Sequence, residues 1–241
     1  MKETFNKAII AYETKEYHEA YELFESVADE NPNAMVNLAF MHLNGIGCKK
    51  NNDSALAWFT KAASHGSAQA MHSLGTFFEK GMHGMIEEDR AFEYYKKAAE
   101  NGHVDSQLKV GLLYRQEGKI AEAMRYLIAA AHNNQPQAQS IITYVSNTQT
   151  KTERNHAFHD LSVIRQRALV ESLIETKIRP ALATDEGGIE LVNYVNGETP
   201  QIWLNYKGAC SGCQLGSTST ADMLLKQFET MIDKNVILYL M

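Results

Sequence analysis

Two of the three cysteines of this 241-residue sequence lie three positions apart in a stretch of small residues. The stretch reads Gly208-Ala-Cys-Ser-Gly-Cys-Gln-Leu-Gly216 and contains Cys210 and Cys213. Both sulfurs can reach one metal site if the backbone curls tightly, and Gly212 permits that curl. Gly208 relaxes the entry to the turn, and small residues leave amide N–H groups free to point at the sulfurs. This pattern suits zinc, iron–sulfur or disulfide chemistry equally.

A helix is predicted directly after the cysteines. The segment STSTADMLLKQFETMIDK has an apolar face at helical spacing, and Ser217 or Thr218 can cap its start. The partial positive charge at a helix N-terminus lowers the pKa of nearby thiols. The thiolate is the form that binds metal, and its stabilisation suits zinc, iron–sulfur and disulfide chemistry equally.

The number of available ligands separates the candidate sites. A structural zinc site needs four ligands, usually as two pairs, and a 4Fe–4S cluster needs four thiolates. His156 and His159 lie three apart, but no second pair at ligand spacing accompanies them, and Cys48 stands alone in NGIGCKKNND. Two chains that each contribute Cys210 and Cys213 would supply four thiolates across a symmetric interface. A cluster held by two bonds per subunit would be easy to transfer.

Composition excludes several classes of function. A net charge of −6 argues against a nucleic-acid surface, which needs clustered Lys and Arg. No apolar run approaches the roughly 20 residues of a membrane span. Three cysteines are too few for a secreted disulfide framework, so we expect a cytoplasmic protein. Phosphate-binding, Gly-x-Ser-x-Gly and His-Glu-x-x-His motifs are absent from the sequence, and we expect no enzymatic activity.

The first 147 residues repeat themselves. Alanine-rich segments with aromatic residues recur at offsets of 35, 36 and 32 residues, and a second helical pattern with a glycine turn lies between them. This period is typical of helix–turn–helix arrays, in which each hairpin buries its faces against its neighbours. The alanine-rich segments start at Ala20, Ala55, Ala91 and Ala123.

Side chains within these repeats are interpreted mainly as core. Alanines let helices approach closely, and large aromatic side chains are expected to fill the space between them, namely Trp58, Phe59, Tyr94 and Tyr95. Histidines occur at similar points of different repeats, so we expect them to be spread along the array rather than to converge on a metal. They are His42, His65, His72 and His103.

The chain changes character after residue 147. The polar segment SNTQTKTER predicts a linker. A helix that Pro180 ends, the strands GIELVNYV and QIWLNYK, the helix after the cysteines and the strand NVILYLM follow. The predicted fold is therefore multidomain: an all-α helical-repeat solenoid over 1–147, a linker and the start of a connecting helix over 148–166, and a small α+β domain of order α-β-β-α-β over 167–241.

Two resemblances follow from these motifs. The segment Ala34–Gly102 resembles the Sel-one-like repeat, a relative of the tetratricopeptide repeat, in its Leu-Gly, Gly-x-Gly, Asp and Lys-Ala-Ala positions. The flanking units Phe5–Asn31 and Gln107–Asn134 are more similar to ordinary tetratricopeptide hairpins. This resemblance implies a right-handed solenoid whose concave face binds proteins.

The second resemblance covers roughly Arg167–Met241, which is similar to the C-terminal domain of NifU and the NifU-like family. The motifs are Ile-Arg-Pro-x-Leu, the GIELV strand and Gly-Ala-Cys-x-Gly-Cys, with departures at Glu186 and Gln214. The resemblance implies that Cys210 and Cys213 ligate a 4Fe–4S cluster bridging a homodimer. It also implies that the cluster is transferred to recipient apoproteins, and that other iron–sulfur assembly proteins are partners.

Three functions stay open at this point. The first is a cluster carrier whose helical array selects recipients. The second is a thiol–disulfide oxidoreductase with Cys210 as nucleophile, although the strand–strand–helix order lacks the βαβ setting that such motifs normally have. The third is a protein-interaction scaffold without cofactor.

Overall fold

The computed structural model describes residues 1–146, 155–182, 188–207 and 218–241. The chain divides into two compact units, Met1–Val110 and Gly111–Met241, and the division falls inside a helix that spans Val104–Gln116. Among the described residues, no helix combines the length and the apolar character needed to cross a membrane. The predicted domain bounds at residues 147 and 167 stay a prediction.

The first unit consists of helices that pack against each other in consecutive pairs, as the repeat period predicts. They are α1 (Lys2–Glu13), α2 (Tyr17–Val27), α3 (Pro32–Asn44), α4 (Asn52–Ser64), α5 (Ala68–Glu79), α6 (Glu88–Glu100) and the first half of α7 (Val104–Gln116).

Asparagine caps and glycine turns define the best-formed repeat. The Asn31 side chain accepts hydrogen bonds from two backbone N–H groups at the start of α3, and the Asn51 side chain accepts one from the N–H of Ser54 in α4. Gly47 has a φ of +69°, and a Cβ there would lie 2.2 Å from the carbonyl oxygen of Tyr17. Glycine is therefore required both for the turn and for the close approach of this loop to α2.

Small residues also let the helices approach large side chains. Gly75 in α5 lies against the ring of Tyr95, and a Cβ at Gly75 would come within 2.7 Å of that ring. Phe59 and Tyr95 are buried, whereas Trp58 and Tyr94 are only half-buried, each with a lysine over its ring. The core prediction therefore holds for one aromatic residue of each pair.

Two of the histidines in the helical array, His72 and His103, meet, contrary to the expectation that they would be spread along the array. The rings of His72 and His103 stack with centroids 4.3 Å apart, and the Ser106 hydroxyl lies 2.8 Å from His72 Nδ1 and 3.2 Å from His103 Nδ1. Burial, with a smaller contribution from His103, lowers the pKa of His72 to about 4. Burial also lowers the pKa of His103, so both imidazoles are neutral at neutral pH.

The second unit contains the end of α7 and a four-stranded sheet with its covering helices. Its elements are α8 (Ile120–His132), α9 (Pro136–Ile141), β1 (Thr143–Ser146), α10 (His156–His159), α11 (Val163–Leu173), a π-helical turn (Ile174–Ile178), α12 (Arg179–Leu182), β2 (Gly188–Val195), β3 (Gln201–Lys207), α13 (Thr218–Met231) and β4 (Ile237–Leu240). The strand order is β1-β4-β3-β2. The predicted order α-β-β-α-β is confirmed.

The neighbouring strands run in both senses. Strand β3 is antiparallel to β2 and parallel to β4, and β1 is antiparallel to β4. Strand β1 was not predicted, because four residues are too few to show an alternating pattern and their partner β4 is distant in sequence. Residues 143–146 thus add a strand to this sheet.

The helix that Pro180 was predicted to end continues to Leu182. A π-helical turn precedes the proline, and the N–H of Arg179 donates to the carbonyl oxygen of Ile174, five residues back. Proline has no N–H to donate, and such a turn shifts the hydrogen-bond pattern before it.

The sheet has a mainly aliphatic face that packs on α11 and α13. On the other face, Tyr239 packs against the ring of Trp203, and its hydroxyl lies 2.8 Å from His132 Nε2 in α8. The buried residues of the aliphatic face include Ile189, Ile202, Leu204, Leu238, Leu240, Val170, Leu173, Leu224 and Phe228.

A buried carboxylate fixes residues 155–159 to the end of α13. Asp233 is 1% exposed, and it accepts hydrogen bonds from the backbone N–H groups of Asn155 (2.9 Å) and Asn235 (2.7 Å). His159 Nε2 lies 2.9 Å from the same carboxylate. Burial alone would raise the pKa of Asp233, but these donors together hold it below the usual value of 3.8.

Replacement of Asp233→Asn should destabilise the second unit by roughly 1–3 kcal/mol, because an amide cannot accept all three hydrogen bonds. Urea unfolding followed by Trp203 fluorescence, in a Trp58→Phe background, measures this change. The exposed Asp222→Asn of α13 is the matched control and should be neutral. Equal stability of the two variants would contradict the assigned role of Asp233.

The stacked histidines should make the first unit sensitive to acid. The unfolded chain binds protons near the ordinary histidine pKa of 6.5, whereas folded His72 does so only at about 4. Stability should therefore fall as the pH drops from about 7 to about 4. Among the charged groups nearby, Asp105 and Glu79 oppose the pKa decrease, and Lys109 adds to it.

Thermal unfolding read by Trp58 fluorescence, in a Trp203→Phe background, measures this sensitivity. The variant His72→Gln should flatten the pH dependence, while His18→Gln, whose imidazole is largely exposed, should leave it unchanged. If the stability of His72→Gln depended on pH as strongly as that of the wild type, His72 would not be the cause of the acid sensitivity.

Candidate functional site

The four residues singled out by sequence, Gly208, Cys210, Gly212 and Cys213, lie outside the described residues. The structure describes the two elements that carry their loop. Strand β3 enters it after Lys207, and α13 leaves it at Thr218. These two elements, and not the loop itself, provide the geometry of the site.

Strand β3 is a firmly held support. It pairs with β2 on one side and with β4 on the other. Near its end the N–H of Tyr206 donates to the carbonyl oxygen of Met241 at 3.0 Å, and the N–H of Met241 donates to Leu204 at 3.1 Å. The backbone is therefore fixed by hydrogen bonds to within two residues of the predicted turn.

Helix α13 begins at the other end of the loop and presents a positive dipole end. It is 14 residues long and has no acidic residue in its first turn, so no first-turn carboxylate offsets the partial charge. Ala221, Leu224 and Phe228 are buried in the core and hold the helix in place. A thiol near this helix start has its thiolate stabilised.

The setting of the cysteine pair differs from the expectation. Strands β3 and β4 are parallel, and α13 connects them, so β3, α13 and β4 form a βαβ unit. Residues 208–217 follow the carboxyl end of β3 in the sequence, and open α/β sheets bind ligands at such strand ends. The argument that the cysteines lack a βαβ setting is therefore wrong, because strand order in the sequence does not reveal which strands pair in parallel.

Of the two histidines at ligand spacing, one is held by a carboxylate. His159 contacts Asp233, and His156 lies on the same short helix, α10. Across residues 1–146, 155–182, 188–207 and 218–241, no three His, Cys, Asp or Glu side chains are grouped so that they could hold a metal ion. The described part of the chain thus offers no competing centre.

Cys48 has a histidine neighbour that sequence analysis missed. Its sulfur lies 3.5 Å from His42 Nδ1, and His42 Nε2 lies 3.2 Å from the Tyr21 hydroxyl. The glycine turn after α3 brings Cys48 back to His42, six residues earlier, and this spacing was the available signal. Burial raises the pKa of the Cys48 thiol, which disfavours the thiolate that metals bind.

Comparison with known proteins identifies two family matches in separate parts of the chain. The model for the Sel1 repeat matches residues 32–67 and 68–103. The model for the NifU-like domain matches residues 170–237, a range that includes Cys210 and Cys213. The first family indicates protein interaction, and the second indicates a role with iron–sulfur clusters.

Two curated relatives match parts of the chain. The mitochondrial NifU-like protein 5 of Arabidopsis thaliana is 40% identical over 52 residues, which are 22% of this chain and 18% of that protein. An F-box protein of Arabidopsis thaliana is 34% identical over 96 residues, 39% of this chain and 26% of that protein. The chain therefore spans about a quarter or less of the length of these curated relatives.

A solved structure supports the helical part of the fold. The crystal structure of a Sel1 repeat protein from Oxalobacter formigenes is 25% identical with a TM-score of 0.51, and the match covers 57% of this chain and 60% of that one. Both resemblances drawn from the sequence motifs are confirmed. This chain carries Sel1 repeats in its helical array and a NifU-like domain in its C-terminal region.

Proposed function

We propose that this chain is an iron–sulfur cluster carrier. In this proposal Cys210 and Cys213 of two subunits together hold one 4Fe–4S cluster as cargo, and the helical repeats bind the apoproteins that receive it. The observation that carries the proposal is the NifU-like match over residues 170–237, which includes both cysteines. Carriage requires no turnover of a substrate, so the proposed role is not enzymatic.

The donor set fits such a cargo. A 4Fe–4S cluster takes four thiolates, and each chain offers one close pair. The first turn of α13 adds a partial positive charge without a carboxylate beside it, which favours the ionised sulfurs. The remaining cysteine, Cys48, is half-buried and its thiol has a raised pKa, so it is poorly suited to ligate the cluster.

Shared ligation also suits delivery. A recipient thiolate that displaces one carrier thiolate replaces one sulfur–iron bond by another, so no oxidant or reductant is needed for the exchange. The repeats would keep the recipient close to the NifU-like domain and raise its effective concentration there. Binding by the repeats and ligation by the cysteines are thus separate and separately testable.

A second candidate function is supported by the βαβ unit around the cysteines. A thiolate at a helix start after a parallel strand is suited to attack on a disulfide. Cys210 would form a mixed disulfide with the substrate, and Cys213 would then displace the reduced substrate. The resulting disulfide of this chain would require an external dithiol to restore both thiols.

Anaerobic reconstitution with iron and sulfide tests the first candidate. Wild type and Cys48→Ser should take up about four irons per dimer, and Cys210→Ser and Cys213→Ser should take up almost none. Iron and acid-labile sulfide analysis measures the loading. Cys48→Ser is the matched control, since it removes a thiol outside the proposed site.

The opposite results distinguish the alternatives. An iron-free wild type with intact thiols that reduces insulin disulfides in a Cys210-dependent manner would favour the oxidoreductase. Full iron loading in Cys210→Ser would place the cluster elsewhere and contradict the proposed ligands.

A further inference from the structure

The loop between α5 and α6 exposes two adjacent large apolar side chains. Met85 is 68% exposed and Ile86 is 66% exposed. Single exposed apolar residues are common on protein surfaces, but two neighbours in one loop form a patch that water solvates poorly.

The loop holds these side chains outward because its backbone is fixed. The N–H groups of Met82 and Glu87 donate to the carbonyl oxygens of Phe77 and Phe78, each at 3.1 Å. The imidazole of His83 stacks on Phe77 and contacts the Glu87 carboxylate. The apolar pair therefore belongs to an ordered turn, and a partner would not need to order it on binding.

Charge next to the apolar pair is negative. Glu88 and Asp89 begin α6 and are exposed, and neither has a hydrogen-bond or ion-pair partner among the described residues. The nearby cation, Arg90, is already used, because its guanidinium lies 4.0 Å from the Phe78 ring centre and 3.4 Å from Glu87. An open depression of about 670 Å³ lies beside Ile86 and these carboxylates.

We infer that Met85, Ile86, Glu88 and Asp89 form a docking surface, here named the acidic apolar patch, for a partner segment with Lys or Arg beside an apolar side chain. The inference deepens the proposed function and rests on its claim that the repeats recruit proteins. Charge complementarity selects this partner, since carboxylates repel nucleic acids and anionic lipid surfaces. A basic residue would pair with Glu88 or Asp89 while its apolar neighbour covers Ile86.

Fluorescence anisotropy with synthetic peptides tests the inference on the full, iron-free chain. The probes are three peptides of equal length that alternate Lys with Leu, Glu with Leu, and Lys with Ser. The Lys–Leu peptide should bind most tightly. The double variant Met85→Ser/Ile86→Ser should weaken its binding by about tenfold, the effect of losing apolar burial.

Charge and control variants complete the test. Glu88→Gln/Asp89→Asn should weaken Lys–Leu binding a few-fold and reduce its salt dependence, because screening acts on the lost charges. Ile10→Ser, at an apolar residue of α1 that is 59% exposed, should leave binding unchanged. Thermal unfolding of each variant confirms that these surface changes preserve the fold.

Several outcomes would overturn the inference. Equal Lys–Leu affinity for wild type and Met85→Ser/Ile86→Ser would show that the peptide binds elsewhere. Preference for the Glu–Leu peptide would exclude a basic partner. Self-association of the wild type that is lost in Met85→Ser/Ile86→Ser would show that the occupant is a second copy of this chain. Because iron is absent throughout, such a failure would leave the proposed cluster carriage intact, whereas loss of iron loading alone would leave the patch intact.

Discussion

The parallel pairing of β3 with β4 is the constraint on which the proposed site depends. Parallel neighbours require a crossover connection, and α13 is that connection. Residues 208–217, which include both cysteines, connect the carboxyl end of a doubly paired strand to the N-terminus of a helix anchored by Leu224 and Phe228. One topological feature thus fixes the two elements that flank the cysteine pair in the sequence.

The same topology explains why residue types alone leave two chemistries open. Cys-x-x-Cys at a βαβ position suits both cluster ligation and disulfide exchange. The family match favours the cluster, and in the proposed 4Fe–4S site the two thiols of one chain would need two more from a second subunit. The number of irons and of subunits per bound cluster therefore distinguishes the two chemistries better than the βαβ geometry, which suits both.

Much of the fold could be predicted from local pattern. The strands over residues 188–195 and 201–207 match their predicted bounds because alternation marks them clearly. Features that depend on distant partners could not be predicted. They are the parallel sense of β4, the short strand β1, and the meeting of His72 with His103, which are distant in sequence. Pro180 misled the helix prediction because a π-helical turn accommodates it. For the site, the types and spacing of the candidate ligands could be read from the sequence, whereas the βαβ unit that flanks them is visible only in the structure.

Native mass spectrometry of the anaerobically reconstituted chain tests the central claim most directly. We expect a dimer whose extra mass equals one 4Fe–4S cluster, and a Cys210→Ser chain that remains free of this mass. A monomer that carries a whole cluster, or a dimer joined by a disulfide without iron, would contradict ligation by two cysteines from each of two subunits.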